Sequence, residues 1–409
     1  MDPLDSQHIV AASMQFPPGT IPDAPRATLN PIRSYIHVSF DGGATWETQR
    51  VEGGPGSAPT DEHGMESKMG DVVVAFLPDG APLVSYLANT RVALPIPVAD
   101  EVQDDNSVYV SRSSDGGRTW PQTVVVAARG GGLHAGGIGT TGDVQSYVYH
   151  DREWMVTGAD GGILMAWTAY TPDGTRIMFA ASHDGGLTWS PYRALDEAPG
   201  EYNGLAFPLI QRDGTWHIAY HRPSTGRLML ASSSDEGASW DSREVGEPSH
   251  DSSSLGSLGG TPNLRAGVHG SGERLWLSYA IPGDSEETEI PTVRWSDDGG
   301  STWTAPLALD GQLPVGTSLL TLDVATDGTA YAAWFHDHDT TTDLRVAAFQ
   351  GDHMIPPLTV QGDLAGSGNN VGHYFGLAAL PGGAMVAYTV EGAAGRGVVA
   401  ARLTLGGGS

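Results

Sequence analysis

Cysteine is absent from all 409 residues, so this chain can build no disulfide, no thiolate metal site and no cysteine nucleophile. Lysine is nearly absent too: Lys68 is the one lysine among 21 basic residues, set against 48 acidic ones for a net charge of −27. Such a field repels polyphosphate backbones and anionic bilayers, which removes nucleic acid and membrane surfaces from the partners to be considered. The charge reads instead as a solubility device suited to a salty or secreted setting. No apolar run reaches the roughly 18–20 residues of a membrane span, and no long apolar helical stripe appears.

What is plentiful is turn chemistry. The chain holds 56 glycines and 27 prolines with 39 % hydrophobic residues, a composition of many short strands joined by tight turns. One eight-residue phrase recurs five times: "SFDGGATW" (39–46), "SSDGGRTW" (113–120), "SHDGGLTW" (182–189), "SSDEGASW" (233–240) and "SDDGGSTW" (296–303). The pattern Ser-x-Asp-x-Gly-x-[Thr/Ser]-Trp is that of a hairpin. The aspartates, Asp41, Asp115, Asp184, Asp235 and Asp298, cap the N–H groups of their own turns; glycine takes a positive φ, and tryptophan fills the space between neighbouring sheets.

A second repeat sits between these boxes, a glycine turn followed by an aromatic: Gly80…Tyr86, Gly161…Trp167, Gly214…Tyr220, Gly272…Tyr279, Gly328…Trp334 and Gly382…Tyr388. The recurring aromatics read as packing. Together the repeats define a unit of four strands, A to D, with the Asp box between C and D. Box spacings of roughly 51–74 residues fall in the range of propeller blades or solenoids, and a radial array of four-stranded antiparallel blades hides sheet edges. The expected fold is all-β, a single β-propeller domain over 1–409 with seven blades (six as the alternative), near 1–53, 70–127, 147–195, 203–246, 261–310, 317–360 and 371–405. "DPLDSQHIVAAS" supplies a turn and a B strand to the first blade, whose A strand is missing or comes from the C-terminal segment.

These boxes resemble the Asp-box, or bacterial neuraminidase, repeats of sialidases, of other glycan-active propellers and of non-enzymatic receptors, over about residues 2–405. The resemblance implies that the Asp-box turns lie on the face opposite the catalytic pocket and are structural. It also implies, for a sialidase, an Arg-Ile-Pro in the first blade, an arginine trio, an aspartate acid/base and a Tyr–Glu nucleophile pair. Here the first blade offers "APRATLNPIRSY", with Arg26 and Arg33 and no Arg-Ile-Pro. The tail "VGHYFGLAALPGGAMVAYTVEG" resembles the last blade of secreted bacterial relatives, which implies an extracellular location.

In such a blade the starts of the A strands and the ends of the B strands converge on one mouth. The A-strand starts hold Asp71, His150, Asp151, Arg152, Glu153, Tyr202, His373 and Tyr374, and the B-strand ends hold Arg91, His221, Arg222, His336, Asp337 and His338; His250 lies in a longer connection. Asp71, His150, Asp151, Tyr202, His221, Arg222, His373 and Tyr374 are the candidate catalytic set. Arg91, Arg152, Glu153, His250 and Asp337 are candidate substrate contacts. His336 and His338 share one strand face, a spacing that admits a divalent metal, although no cofactor is required.

Three functions fit. An exo-glycosidase similar to sialidases would attack with Tyr374 or Tyr202 and use Asp71 or Asp151 as acid/base. A lyase like the ulvan-type polysaccharide lyases would hold a uronate with Arg222, take its proton with His221 or His373 and protonate the leaving oxygen with Tyr374. A non-catalytic propeller would bind glycan or protein across the same face. The expected partner is a glycan or other small polar substrate at the central mouth of a monomer.

Overall fold

Strand-forming β-branched and aromatic runs broken by glycine turns give antiparallel sheets throughout. The computed structural model describes residues 1–15, 33–50, 68–93, 102–127, 149–171, 174–195, 204–222, 226–246, 262–314, 319–338, 341–365, 375–392 and 395–405. Among these residues there is no helix, and hence none long and apolar enough to cross a membrane. The fold is an all-β propeller with seven blade sheets.

The chain divides into two compact units, Met1–Asn203 and Gly204–Ser409. The first unit holds three sheets: β1 (Ile9–Gln15), β2 (Arg33–Ser39) and β3 (Glu47–Arg50); β4 (Lys68–Phe76), β5 (Pro82–Ala93), β6 (Val102–Arg112) and β7 (Gln122–Ala127); and β8 (Tyr149–Thr157), β9 (Ile163–Thr171), β10 (Gly174–Ser182) and β11 (Arg193–Ala194). Four sheets form the second: β12 (Gly204–Ile210) to β15 (Asp241–Glu244) through β13 (Trp216–Arg222) and β14 (Arg227–Ser233); β16 (Asn263–His269), β17 (Gly272–Pro282), β18 (Thr288–Ser296) and β19 (Leu307–Ala308), with β20 (Leu313–Pro314) also on β18; β21 (Leu320–Val324), β22 (Ala330–Asp337), β23 (Thr341–Gln350) and β24 (His353–Ala365); and β25 (Gly376–Leu380), β26 (Gly383–Gly392) and β27 (Gly395–Thr404). The first and last sheets have three strands among the described residues.

All six recurring aromatics, Tyr86, Trp167, Tyr220, Tyr279, Trp334 and Tyr388, are buried in these cores. Trp120 packs on a core cluster that includes Val10, Ile36 and Val38 of the preceding sheet, and Trp189 on one that includes Leu83 and Val110 of its own predecessor, so these two box tryptophans join successive sheets. In the fifth sheet the left-handed turn residue is Gly270 (φ 59), two positions before the glycine the repeat pattern singles out. A second tie crosses from the fifth sheet to the sixth: the fully buried Arg274 donates to both carboxylate oxygens of Asp297 (2.6 and 2.8 Å), to Asp352 Oδ1 (2.7 Å) and to the Gly351 carbonyl (3.1 Å).

Each Asp box closes on itself. In the third box Ser182 Oγ donates to Asp184 Oδ1 (2.9 Å), which also accepts the Thr188 N–H (2.8 Å), while the Thr188 hydroxyl donates to Oδ2 (2.6 Å). The Gly186 N–H in turn donates to Ser182 Oγ (2.9 Å), and Trp189 Nε1 to the Gly186 carbonyl (3.2 Å). The hydroxyl and amide of the box Thr or Ser hold Asp41, Asp184, Asp235 and Asp298 at a pKa of about 2, below the ordinary carboxylate value. The fourth box departs in one place. Glu236 takes φ 55 where the other four use glycine, a conformation that costs an L-residue roughly 1–2 kcal/mol.

Replacing Asp184 with Ala should therefore lower stability by about 1 kcal/mol, the usual worth of a capping side chain, and Glu236→Gly should raise it by roughly 0.5–1 kcal/mol; thermal unfolding measures both. Because these carboxyls titrate lower folded than unfolded, their contribution is complete above about pH 4 and is lost as pH falls towards 2. Wild type should thus lose more stability than Asp184→Ala across that window.

Candidate functional site

Adjacent first strands in the second and third sheets carry the same irregularity. Along β4 the register steps from Gly70↔Leu87 to Val73↔Ser85, so Asp71 and Val72 together face Tyr86. Along β8 it steps from Asp151↔Thr168 to Trp154↔Ala166, so Arg152 and Glu153 together face Trp167. Each bulge puts a non-glycine residue into left-handed backbone, Asp71 at φ 50 and Arg152 at φ 53. Such conformations cost on the order of 1–3 kcal/mol and gather where a side chain must be re-aimed. The two bulges touch: the Arg152 N–H donates to Asp71 Oδ2 (3.3 Å), and the Asp71 N–H points at Met14 Sδ (2.8 Å).

The consequence is a cluster of three acidic side chains, Asp71, Asp151 and Glu153, with the Arg152 guanidinium beside Asp151. Asp151 lies beside Asp71 and Tyr170, and Arg152 Nε stands 3.8 Å from Asp151 Oδ2. Burial first, and the Asp71 charge second, push Asp151 up to about 7. Glu153 is fully buried; its Oε1 accepts the Ser85 hydroxyl (3.3 Å), and its Oε2 has no hydrogen-bond partner among the described residues. Burial, then the Asp71 charge, holds it well above its ordinary value.

His150 lies in the packing beside this cluster: fully buried, it accepts the Trp167 indole N–H at Nδ1 (2.9 Å) and stands edge-on to Trp167 and Tyr192. In the second unit His221 is fully buried in β13 opposite Leu228, and Arg222 pairs with Arg227 across the ladder. Asp337 accepts the Thr342 hydroxyl (2.7 Å). On the other face of that hairpin His336 Nδ1 bonds Asp310 Oδ2 (2.8 Å) and His338 Nε2 bonds Asp343 Oδ2 (3.1 Å), with ring centroids 4.8 Å apart. Arg91 lies in β5 opposite Asp104; its side chain, Tyr202, His250, His373 and Tyr374 lie outside the described residues. Among the described residues no group of three or more His, Asp or Glu is arranged to hold a metal ion.

Several partners escape the sequence reading. Asp343 had a signal, because a tight hairpin in "FHDHDTTTDLR" sets it opposite His336. Ser85, Tyr170, Asp310 and Arg345 had none, since strand pairing and the meeting of separate segments bring them in.

Asp151→Asn tests the electrostatics without a substrate. A carboxyl that titrates higher folded than unfolded costs stability as pH rises from about 4 towards 7. The neutral variant should match wild type in unfolding free energy near pH 4 and exceed it near pH 8 by on the order of 1–4 kcal/mol, as denaturant titrations at the two pH values measure.

Comparison with known proteins places the chain. Residues 77–313 match the family model described as a BNR repeat-like domain. Of the solved structures, the Hadza microbial sialidase Hz136 is 16 % identical with a TM-score of 0.50, over 92 % of this chain and 74 % of that one. A protein of unknown function from Dyadobacter fermentans is 17 % identical with a TM-score of 0.50, over 97 % and 91 % of the two chains. At these identities the likeness is one of fold. No curated protein matches the chain.

Proposed function

Since the chain belongs to the BNR repeat-like domain family, whose model matches more than half its length, we propose that it is a glycan-active hydrolase, an exo-glycosidase acting on an acidic sugar through the Asp71–Asp151 pair. The observation that carries this reading is the meeting of the two bulges, which brings Asp71 and Asp151 beside Arg152. A carboxyl pushed up to about 7 beside a second carboxyl is suited to give a proton to a leaving glycosidic oxygen and take one back from water. Arg152 supplies the positive charge that a sugar carboxylate needs beside these acids. Those bulges hold Asp71 and Arg152 in left-handed backbone, a strain that gathers at functional sites.

One structural neighbour is itself a sialidase, which makes sialosides the first substrates to try. The lyase alternative leans on His373 and Tyr374, outside the described residues, and on His221, whose ring is fully buried. Extracellular action on a glycan also agrees with the strongly acidic, cysteine-free composition.

Purified protein should release sugar from aryl glycosides of sialic or uronic acids without forming an unsaturated product. Asp151→Asn should lower kcat at least ~10²-fold, the usual worth of a general acid, with the fold intact. Activity should decline above about pH 7 as Asp151 loses its proton, and Asp71→Asn, by removing the neighbouring charge, should move that decline to lower pH. An unsaturated product, or wild-type turnover in Asp151→Asn, would sink the proposal; the first outcome would favour the lyase chemistry of Arg222, His221, His373 and Tyr374.

A further inference from the structure

The hairpin of β22 and β23 carries a second constellation, separate in chemistry from the carboxyl pair. His336 is the cross-strand partner of Asp343, and Asp337 of Thr342, so alternation places His336, His338, Asp343 and Arg345 on one face and Asp337 with Thr342 on the other. The His338 N–H closes the turn onto the Thr341 carbonyl (2.7 Å), which fixes both imidazoles on the same surface with their centroids 4.8 Å apart.

Each ring is anchored through one nitrogen by a carboxylate that is itself held. A carboxylate only accepts, so His336 donates from Nδ1 to Asp310 Oδ2 and His338 from Nε2 to Asp343 Oδ2. Asp310 is locked in turn by Arg345 and by the Gly311 N–H on its Oδ1 (2.9 Å). Asp343 is locked by the Asp363 N–H on its Oδ1 (3.1 Å), with Asp363 at φ 54. Among the described residues, neither His336 Nε2 nor His338 Nδ1 has a hydrogen-bond partner.

This is the outer-shell pattern of metal-ligating histidines, in which the second ring nitrogen donates to a carboxylate that fixes the tautomer and raises the basicity of the first. The geometry points to a divalent transition-metal site on the β22–β23 hairpin, with His336 Nε2 and His338 Nδ1 as its two protein ligands and water completing the shell. Two neutral imidazoles select nitrogen-loving ions such as Cu2+, Ni2+ and Zn2+ over Mg2+ or Ca2+, with Cu2+ bound most tightly. Because Asp310 follows β19 of the fifth sheet while both histidines belong to the sixth, an ion here would rigidify the seam between two successive sheets.

The test uses the full chain. Cu2+ titrated into the protein at neutral pH should occupy one site whose electron paramagnetic resonance spectrum shows coupling to two nitrogens. His338→Gln, on a half-exposed side chain that spares the core, should remove that signal, as should His336→Gln. Asp343→Asn should weaken Cu2+ at least ~10-fold while leaving both ligands in place, and excess Zn2+ should raise the melting temperature of wild type but not of His338→Gln. Two results would overturn the site: Cu2+ binding that survives both histidine variants, or no two-nitrogen signal in wild type whose circular dichroism shows it folded.

Discussion

A carboxylate saturated by its own turn is the interaction on which the rest of this structure depends. With no disulfide and a single lysine, the chain has few long-range ties, and it relies on hairpins that fold locally before sheets can pack. In each Asp box the aspartate accepts from a serine and from both the amide and the hydroxyl four residues on, and in the second and third boxes the tryptophan that follows packs on a core shared with the preceding sheet. Turn geometry thereby becomes sheet packing, and sheet packing sets where the first strand of each sheet begins. Arg274 adds the one fully buried guanidinium among the described residues, a tie between sheets made of the same acidic raw material.

The same side chain does opposite things in two settings. Asp184 is exposed, surrounded by donors and held near 2; Asp151 is half-buried beside another acid and pushed up to about 7. Neither value follows from being an aspartate. The donors in the first case favour the anion, whereas in the second both burial and a neighbouring charge favour the neutral acid. A chain of net charge −27 thus contains both acids that stay ionised and acids that keep their protons.

How much of this was legible in the sequence follows from the range of the forces involved. The boxes and the strand–turn–strand rhythm are local, so the seven sheets and the structural role of Asp41, Asp115, Asp184, Asp235 and Asp298 could be read directly. Asp71, Asp151, Arg152 and Glu153 were legible as strand-start residues rich in charge, but not as a cluster. Their meeting depends on two extra residues in the ladders of β4 and β8, and Arg152 and Asp71 have side chains that give no sign of left-handed backbone. His150 shows the same limit: one position from Asp151, it lies buried against Trp167 and Tyr192, while Asp151 joins Asp71.

The bulge in β8 has a genetic corollary. Strand faces alternate with a period of two, so a ladder remembers length as well as composition. Loss of a single codon at Arg152 would leave a regular, less strained strand in which Asp151 still faces Thr168 and Trp154 still faces Ala166, with Glu153 alone opposite Trp167. The ladder would stay in register on both sides, and what would go is the left-handed residue whose N–H reaches Asp71. A variant of that kind would keep its sheet and lose its cluster, so in a lineage of such chains the spacing between Asp151 and Trp154 is a more telling character than the identity of Arg152.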